Sequence, residues 1–110
     1  MLRILVLFLS LNLLSDVNKF IDASSKKYDQ LALDLWDYAE MGYQEVKSSN
    51  ALKKVLKEEG FSIRSNIAGI PTAFIAEYNN GGPIIAILAE YDALPGLSQN
   101  NVPYLSLIHI

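Results

Sequence analysis

The feature that most restricts the fold of this chain is an uninterrupted run of six apolar residues at positions 84–89. The run begins after Pro83 and follows the segment Asn-Asn-Gly-Gly at 79–82. Asparagine and glycine tolerate the positive φ angles that a tight turn requires. A short apolar run without polar alternation is typical of a strand that is covered on both faces of a sheet. Residues 84–89 are therefore predicted to form a central strand.

Two amphipathic helices are predicted before this run. Apolar residues recur at three- and four-residue steps from about Asp16 to Ala39, which is the period of an α-helix. A second helix is predicted at about 45–59, and Gly60 provides the residue at which it ends. Its buried stripe is predicted to consist of Leu52, Val55 and Leu56.

Strand patterns follow the second helix. Residues 61–64 alternate between apolar and polar types, as a half-buried strand does, and residues 72–78 are rich in strand-forming types. Together with the run at 84–89, this order predicts an α/β fold. Its layers are two helices and then the strands of a mixed sheet.

Composition excludes several classes of function. The chain has 110 residues, a net charge of −3 and no cluster of lysine or arginine, so nucleic acid is not expected as a partner. It has no cysteine, which excludes disulfides and thiolate metal sites. Because His109 is the only histidine, a metal centre formed by this chain alone would depend mainly on carboxylates. Neither a P-loop nor a G-x-G-x-x-G motif is present, which disfavours a nucleotide-binding module.

The first fifteen residues differ in composition from the rest. Arg3 precedes a mostly apolar stretch at 4–14, which is shorter than the about 20 residues that a membrane span needs. The pattern fits the charged and apolar regions of a secretory signal, but no small-x-small cleavage site follows. A signal peptide, a spurious upstream start and a buried N-terminal helix all stay open. The location is therefore either cytoplasmic or, with a signal peptide, secreted or periplasmic.

An acidic segment directly follows the apolar run. If the extended geometry persists, the carboxylates of Glu90 and Asp92 leave the strand on the same side. Ligands of open α/β sheets bind beyond the carboxyl ends of the strands. Such a pair can bind a cation or orient a ligating imidazole. A solvated loop end or a helix cap would explain the same spacing.

Four segments carry a family pattern in order and spacing, namely 35–45, 56–61, 66–76 and 88–98. The last segment reads Leu-Ala-Glu-Tyr-Asp-Ala-Leu-Pro-Gly-Leu-Ser and is the most specific. Over about 16–104 the chain resembles the N-terminal part of the zinc-dependent aminoacylase and carboxypeptidase-type amidohydrolases. Within that family, the similarity is greatest to the group of aminobenzoyl-glutamate hydrolase subunits.

The resemblance implies a layered, zinc-peptidase-like catalytic domain that holds two divalent ions, zinc or manganese, which activate water and polarise an amide. It implies a small substrate, either an N-acyl amino acid, an aminobenzoyl-glutamate-like compound or a dipeptide, and frequent homo-oligomers. Asp92 matches an aspartate that orients a metal-ligating histidine and does not itself bind the metal. Glu90 occupies the position at which peptidase relatives carry a ligating histidine and the amidohydrolase branch carries an acidic residue.

The end of the sequence departs from this pattern. The family carries a segment like G-H-x-C-G-H and a later glutamate pair, whereas residues 105–110 read Leu-Ser-Leu-Ile-His-Ile. His109 has apolar neighbours that do not fit the motif, and it is not predicted to be a ligand. The predicted organisation is a signal peptide or spurious extension at 1–15, a partial catalytic domain at 16–104 and a non-family tail at 105–110.

These departures lead to two functional hypotheses. The chain is expected to be a truncated fragment of an amidohydrolase that is inactive alone and holds no metal or cofactor. The alternative is a small secreted α/β binding or interaction domain without catalysis.

Four residues near the junction of the two helices have a structural explanation. Glu40 and Glu45 flank the turn. The family resemblance implies that this region borders the substrate cleft, but solvated helix ends explain the two residues equally well and are the favoured interpretation. Trp36 and Tyr43 have two interpretations, as residues that line a pocket or as core aromatics. The second is favoured, because an aromatic residue at helical spacing is more often buried than part of a binding site.

Overall fold

The computed structural model describes residues 2–108, with side chains described for 16–108. The elements are α1 (Leu2–Tyr38), α2 (Val46–Glu58), β1 (Ser62–Ser65), a 3₁₀ turn (Ile67–Gly69) and β2 (Phe74–Glu77). This order confirms the predicted α/β class with two helices followed by strands. The chain divides into two compact units, Met1–Ala32 and Leu33–Ile110.

The first unit is formed by most of α1. The predicted helix is confirmed from about Asp16 onward, but it begins at Leu2 and not near Asp16. In its apolar stripe, Val17, Phe20 and Ile21 are all more than half exposed. A single helix buries its apolar face only against a second element, and this unit contains no other described element. Within the part of the chain that the structure describes, no helix meets the length and hydropathy of a membrane span.

The second unit is built around α2 and a two-stranded sheet. The strands β1 and β2 pair antiparallel, with Ser62 opposite Glu77 and Ser65 opposite Phe74. Helix α2 contacts both strands, and its predicted stripe of Leu52, Val55 and Leu56 is half-buried. The connection to β1 turns at Gly60, whose φ of 90° is one that residues with a side chain rarely adopt.

Residues 84–89 depart from the prediction. They have no regular secondary structure, and the side chains of Ile84, Ile85, Ile87 and Leu88 are 86 to 98 % exposed. The predicted covered strand is therefore wrong for the described chain. A central strand needs hydrogen-bonding neighbours and a layer over each face, whereas the sheet of the described residues contains only β1 and β2. Without those neighbours, the backbone of 84–89 is left to hydrogen-bond with water.

We expect this exposed segment to govern self-association of the chain. The six residues at 84–89 include no charge and no proline, and an exposed apolar segment of this length is prone to pair with other copies. The double substitution Ile85→Lys and Leu88→Lys should raise the concentration up to which the chain is monomeric in sedimentation velocity. The matched control is Val17→Lys with Ile21→Lys on exposed positions of α1. Equal effects of the two pairs would contradict the prediction.

Candidate functional site

The N-terminus of α2 is capped by a glutamate that lies outside the helix. The Glu40 carboxylate accepts hydrogen bonds from the backbone N–H groups of Lys47 at 3.0 Å and Ser48 at 2.8 Å, and from the Ser48 hydroxyl at 2.9 Å. The first N–H groups of a helix lack intrahelical partners, and a negative charge there is favourable to the helix dipole. Glu45 directly precedes the helix but makes no side-chain capping bond. The interpretation of Glu40 as a merely solvated helix end is therefore wrong.

The side chain of Glu45 is buried. Only 9 % of the residue is exposed, and its Oε2 accepts a hydrogen bond of 2.7 Å from the hydroxyl of Thr72, which is 5 % exposed. A carboxylate that loses water needs hydrogen-bond donors in its place. The interpretation of Glu45 as a solvated helix end is thus wrong, because the side chain is buried and the Thr72 hydroxyl replaces a water molecule as its hydrogen-bond donor.

Hydrogen bonding determines the protonation of both glutamates. Burial acts to raise the pKa of Glu45, but hydrogen bonds from the Thr72 hydroxyl and from the backbone of Glu45 and Tyr43 outweigh it, so this pKa lies below its ordinary value. Burial also acts to raise the pKa of Glu40, and the hydrogen bonds from Ser48 and Lys47 lower it further than burial raises it. Both carboxylates therefore hold their charge more firmly than free glutamate does.

Tyr91 connects the acidic segment to this buried pair. Its hydroxyl donates a hydrogen bond of 2.6 Å to the backbone carbonyl of Thr72, and its ring lies 5.9 Å from that of Phe74. Burial, together with the negative charge of Glu45, raises the pKa of the Tyr91 hydroxyl. The hydroxyl therefore stays protonated and remains a donor.

Asp92 lies on the same side of Gly42 as Glu45. A Cβ atom placed on Gly42 would be 3.6 Å from Asp92 Oδ2 and 3.9 Å from Glu45 Oε1. The next residue, Ala93, donates its backbone N–H to the carbonyl of Glu40 at 2.7 Å. The loop after α1 and the acidic segment are therefore in direct contact, and the carboxylates of Asp92 and Glu45 both lie close to Gly42.

An open cavity of ≈ 890 Å³ lies beside Asp92 in the second unit. This volume is within the roughly 300–1,000 Å³ of small-molecule sites. Asp92 lines the cavity, whereas Glu90 has an exposed side chain and is not among the lining residues. His109 lies outside the described residues. Most of the side chains that line the cavity are apolar, among them Leu35, Trp36, Leu94, Leu97 and Leu105.

The two aromatic residues near the helix junction are not core residues. Trp36 is 46 % exposed and lines the cavity, and Tyr43 is 75 % exposed. Their interpretation as core aromatics is wrong, since none of the apolar side chains from 16 to 108 is fully buried. The helical period that includes Trp36 correctly predicted a helix at this position. A local pattern does not specify which element the helix packs against, so it could not predict the burial of Trp36.

The carboxylates of the site do not form a complete metal centre. Among the described residues, no group of three or more histidine, aspartate or glutamate side chains is arranged to hold a metal ion. The Glu45 carboxylate already accepts a hydrogen bond from the Thr72 hydroxyl, and the Glu40 carboxylate accepts a hydrogen bond from the backbone N–H of Ser48 in α2. The described residues therefore do not fit the two divalent ions that the family resemblance implies.

We expect the free energy of unfolding to fall as the pH drops below 4.5, the ordinary glutamate value. A carboxyl group whose pKa is lowered on folding contributes stability that is complete above its unfolded pKa and is lost as the pH falls through its folded pKa. Urea unfolding between pH 6 and about 3 measures this dependence. Glu40→Gln and Glu45→Gln should each make the free energy of unfolding less dependent on pH. Glu90→Gln, which changes an exposed side chain, should not. If the free energy of unfolding depended on pH in both Glu40→Gln and Glu45→Gln as it does in the unsubstituted chain, the lowered pKa of these two carboxyl groups would be contradicted.

Comparison with known proteins identifies relatives of one chemical class. No protein-family model matches the chain. It is 40 % identical over 90 residues to a subunit of p-aminobenzoyl-glutamate hydrolase from Escherichia coli, a match that covers 78 % of this chain and 19 % of the relative. It is 36 % identical over 77 residues to N-acetylcysteine deacetylase of Bacillus subtilis, covering 68 % of this chain and 20 % of the relative.

A third relative extends the same pattern. The putative amidohydrolase YhaA of Bacillus subtilis is 28 % identical over 93 residues, which cover 84 % of this chain and 24 % of the relative. The chain thus spans about a fifth to a quarter of the length of these curated relatives. Over the residues that match, the chain is similar to proteins of the amidohydrolase and aminoacylase family.

Proposed function

We propose that this chain forms part of a hydrolase that cleaves the amide bond of an N-acylated amino acid. The observation that carries the proposal is that Asp92, within the segment that resembles the family most specifically, lines the cavity of the second unit. The names of two relatives support the substrate class, since p-aminobenzoyl-glutamate and N-acetylcysteine each join an acyl group to the amino group of an amino acid. An aminobenzoyl-glutamate-like compound, a simple N-acyl amino acid and a dipeptide all have this bond.

The lining of the cavity is compatible with such a substrate. Trp36, Leu94 and Leu97 offer apolar and aromatic surface for an acyl or aryl group. Asp92 adds a carboxylate at the same cavity, where it can accept a hydrogen bond from a neighbouring donor. Sites for small molecules commonly combine a mostly apolar wall with a few placed polar groups.

Asp92 is proposed to orient a metal-ligating side chain and not to act as a ligand. A carboxylate that accepts the second N–H of a ligating histidine fixes the orientation of the ring and raises its basicity. The proposed metal is a divalent ion, zinc or manganese, and its ligands would come from parts of the protein other than the described residues. We accordingly expect the 110-residue chain alone to be inactive towards these amides. Association of the whole protein into homo-oligomers is part of the same proposal.

A chimera tests this function. The matched 90 residues of the Escherichia coli p-aminobenzoyl-glutamate hydrolase are replaced by those of this chain, and hydrolysis of p-aminobenzoyl-glutamate is measured. We expect the chimera to retain activity and Asp92→Asn to lower kcat/KM by about 10- to 100-fold, the usual cost of removing a residue that orients a metal ligand. The matched control is Asp29→Asn, which changes an exposed aspartate of α1 in the same way.

Two results would contradict the proposal. One is a chimera that has the circular dichroism and thermal transition of the parent but no hydrolytic activity. The other is an Asp92→Asn variant whose kcat/KM equals that of the Asp29→Asn control.

A further inference from the structure

The chain on either side of Asp92 lacks regular structure. Residues 84–89 before it form no helix or strand, and residues 97–100 after it form none either. A side chain in such a segment is ordinarily mobile, because few backbone hydrogen bonds restrain it. The position of Asp92 must therefore depend on contacts with other parts of the second unit.

Two hydrogen bonds in series provide one such contact. The Tyr91 hydroxyl donates to the Thr72 carbonyl at 2.6 Å, and the Thr72 hydroxyl donates to Glu45 Oε2 at 2.7 Å. The second bond has an ionised acceptor, and hydrogen bonds of that kind are shorter and stronger than neutral ones. The residue before Asp92 is thereby connected to a carboxylate that is almost completely buried.

The residue after Asp92 is held independently. Ala93 donates its backbone N–H to the carbonyl of Glu40 at 2.7 Å, and the Glu40 side chain is itself fixed on the N-terminus of α2. Asp92 is thus placed between two attachments, and both lead to the loop that joins α1 to α2. Glu45, at the end of that loop, is the residue on which the attachment through Tyr91 depends.

We propose that Tyr91 and Thr72 are positioning residues that hold Asp92 at the cavity by connecting its segment to the buried Glu45. The chemical role of Asp92 rests on the proposed function, but its placement by these two residues does not. Tyr91→Phe removes the hydroxyl and keeps the ring that packs beside Phe74, so the contribution of the hydrogen bond is isolated from that of the packing.

The test follows the hydrogen bond of the Ala93 amide, which reports whether the segment stays in place. In the 110-residue chain, amide hydrogen exchange of Ala93 is measured by NMR together with that of Leu56 in α2. Tyr91→Phe should accelerate exchange at Ala93 roughly three- to tenfold, the ratio that corresponds to one net hydrogen bond, and leave Leu56 unchanged. The matched control is Tyr104→Phe on a residue that is 69 % exposed, and it should alter neither amide.

Substitutions at Thr72 separate positioning from general loosening. Thr72→Val keeps the shape and removes the donor to Glu45, so exchange at Ala93 should accelerate as it does in Tyr91→Phe. Thr72→Ser keeps a hydroxyl on the same carbon, Cβ. The exchange rate of the Ala93 amide should then be close to that of the unsubstituted chain. A normal Ala93 exchange rate in Thr72→Ser supports the proposal. If the effect of Thr72→Val came only from altered packing, the smaller serine side chain would not restore the rate.

Two outcomes would overturn the proposal. The first is an unchanged Ala93 rate in both Tyr91→Phe and Thr72→Val. The second is equal acceleration of Ala93 and Leu56 in Tyr91→Phe, Thr72→Val and Thr72→Ser, which would indicate global destabilisation. Neither outcome depends on catalysis, so a failure here is distinct from a failure of the chimera to hydrolyse its substrate.

Discussion

The second unit depends on the burial of one charged group, the Glu45 carboxylate. A carboxylate removed from water is unfavourable unless donors replace the water, and here a threonine hydroxyl and backbone N–H groups do so. Because no apolar side chain among the described residues is fully buried, this polar contact cannot be regarded as an addition to a hydrophobic core. Through Thr72, the contact brings together the loop before α2, the turn before β2 and the acidic segment. These three parts are distant in sequence, and the Ala93–Glu40 hydrogen bond and the ring contact of Tyr91 with Phe74 also join them.

The same arrangement explains why α2 begins where it does. Its first N–H groups are satisfied by Glu40, whose own backbone carbonyl accepts the Ala93 amide. A single residue thus restrains the helix terminus with its side chain and the acidic segment with its main chain. The site and the helix terminus are consequently one structural unit, and the cavity beside Asp92 lies at the edge of that unit.

Local patterns predicted the elements of the fold well. The helical period placed α2 at 45–59, one residue beyond Val46–Glu58 at each end, and the strand patterns at 61–64 and 72–78 overlap β1 and β2. The same kind of local pattern predicted a covered strand at 84–89. The burial of that strand depends on neighbouring strands and helices, which a local pattern does not specify. Periodicity indicates which face of an element is apolar; it does not supply the surface that covers that face.

The site was only partly predictable for a similar reason. Asp92 was found from its position after an apolar run and from its family resemblance. The roles of Glu45, Thr72 and Tyr91 were missed, since the hydrogen bonds that define them join residues 27 and 19 positions apart. A glutamate, a threonine and a tyrosine at such distances have no spacing that distinguishes them from surface residues.

The double attachment of Glu40 has a consequence for how motion is transmitted. Bending of the first turn of α2 would displace the carboxylate of this residue, and its carbonyl would carry the displacement to Ala93. Fluctuations of the helix terminus and of the cavity rim are then correlated through one peptide unit and one side chain. An amino-acid change at position 40 would remove the contact with the helix directly, because that contact uses the carboxylate. It would affect the contact with Ala93 only through the backbone, because every residue has a main-chain carbonyl.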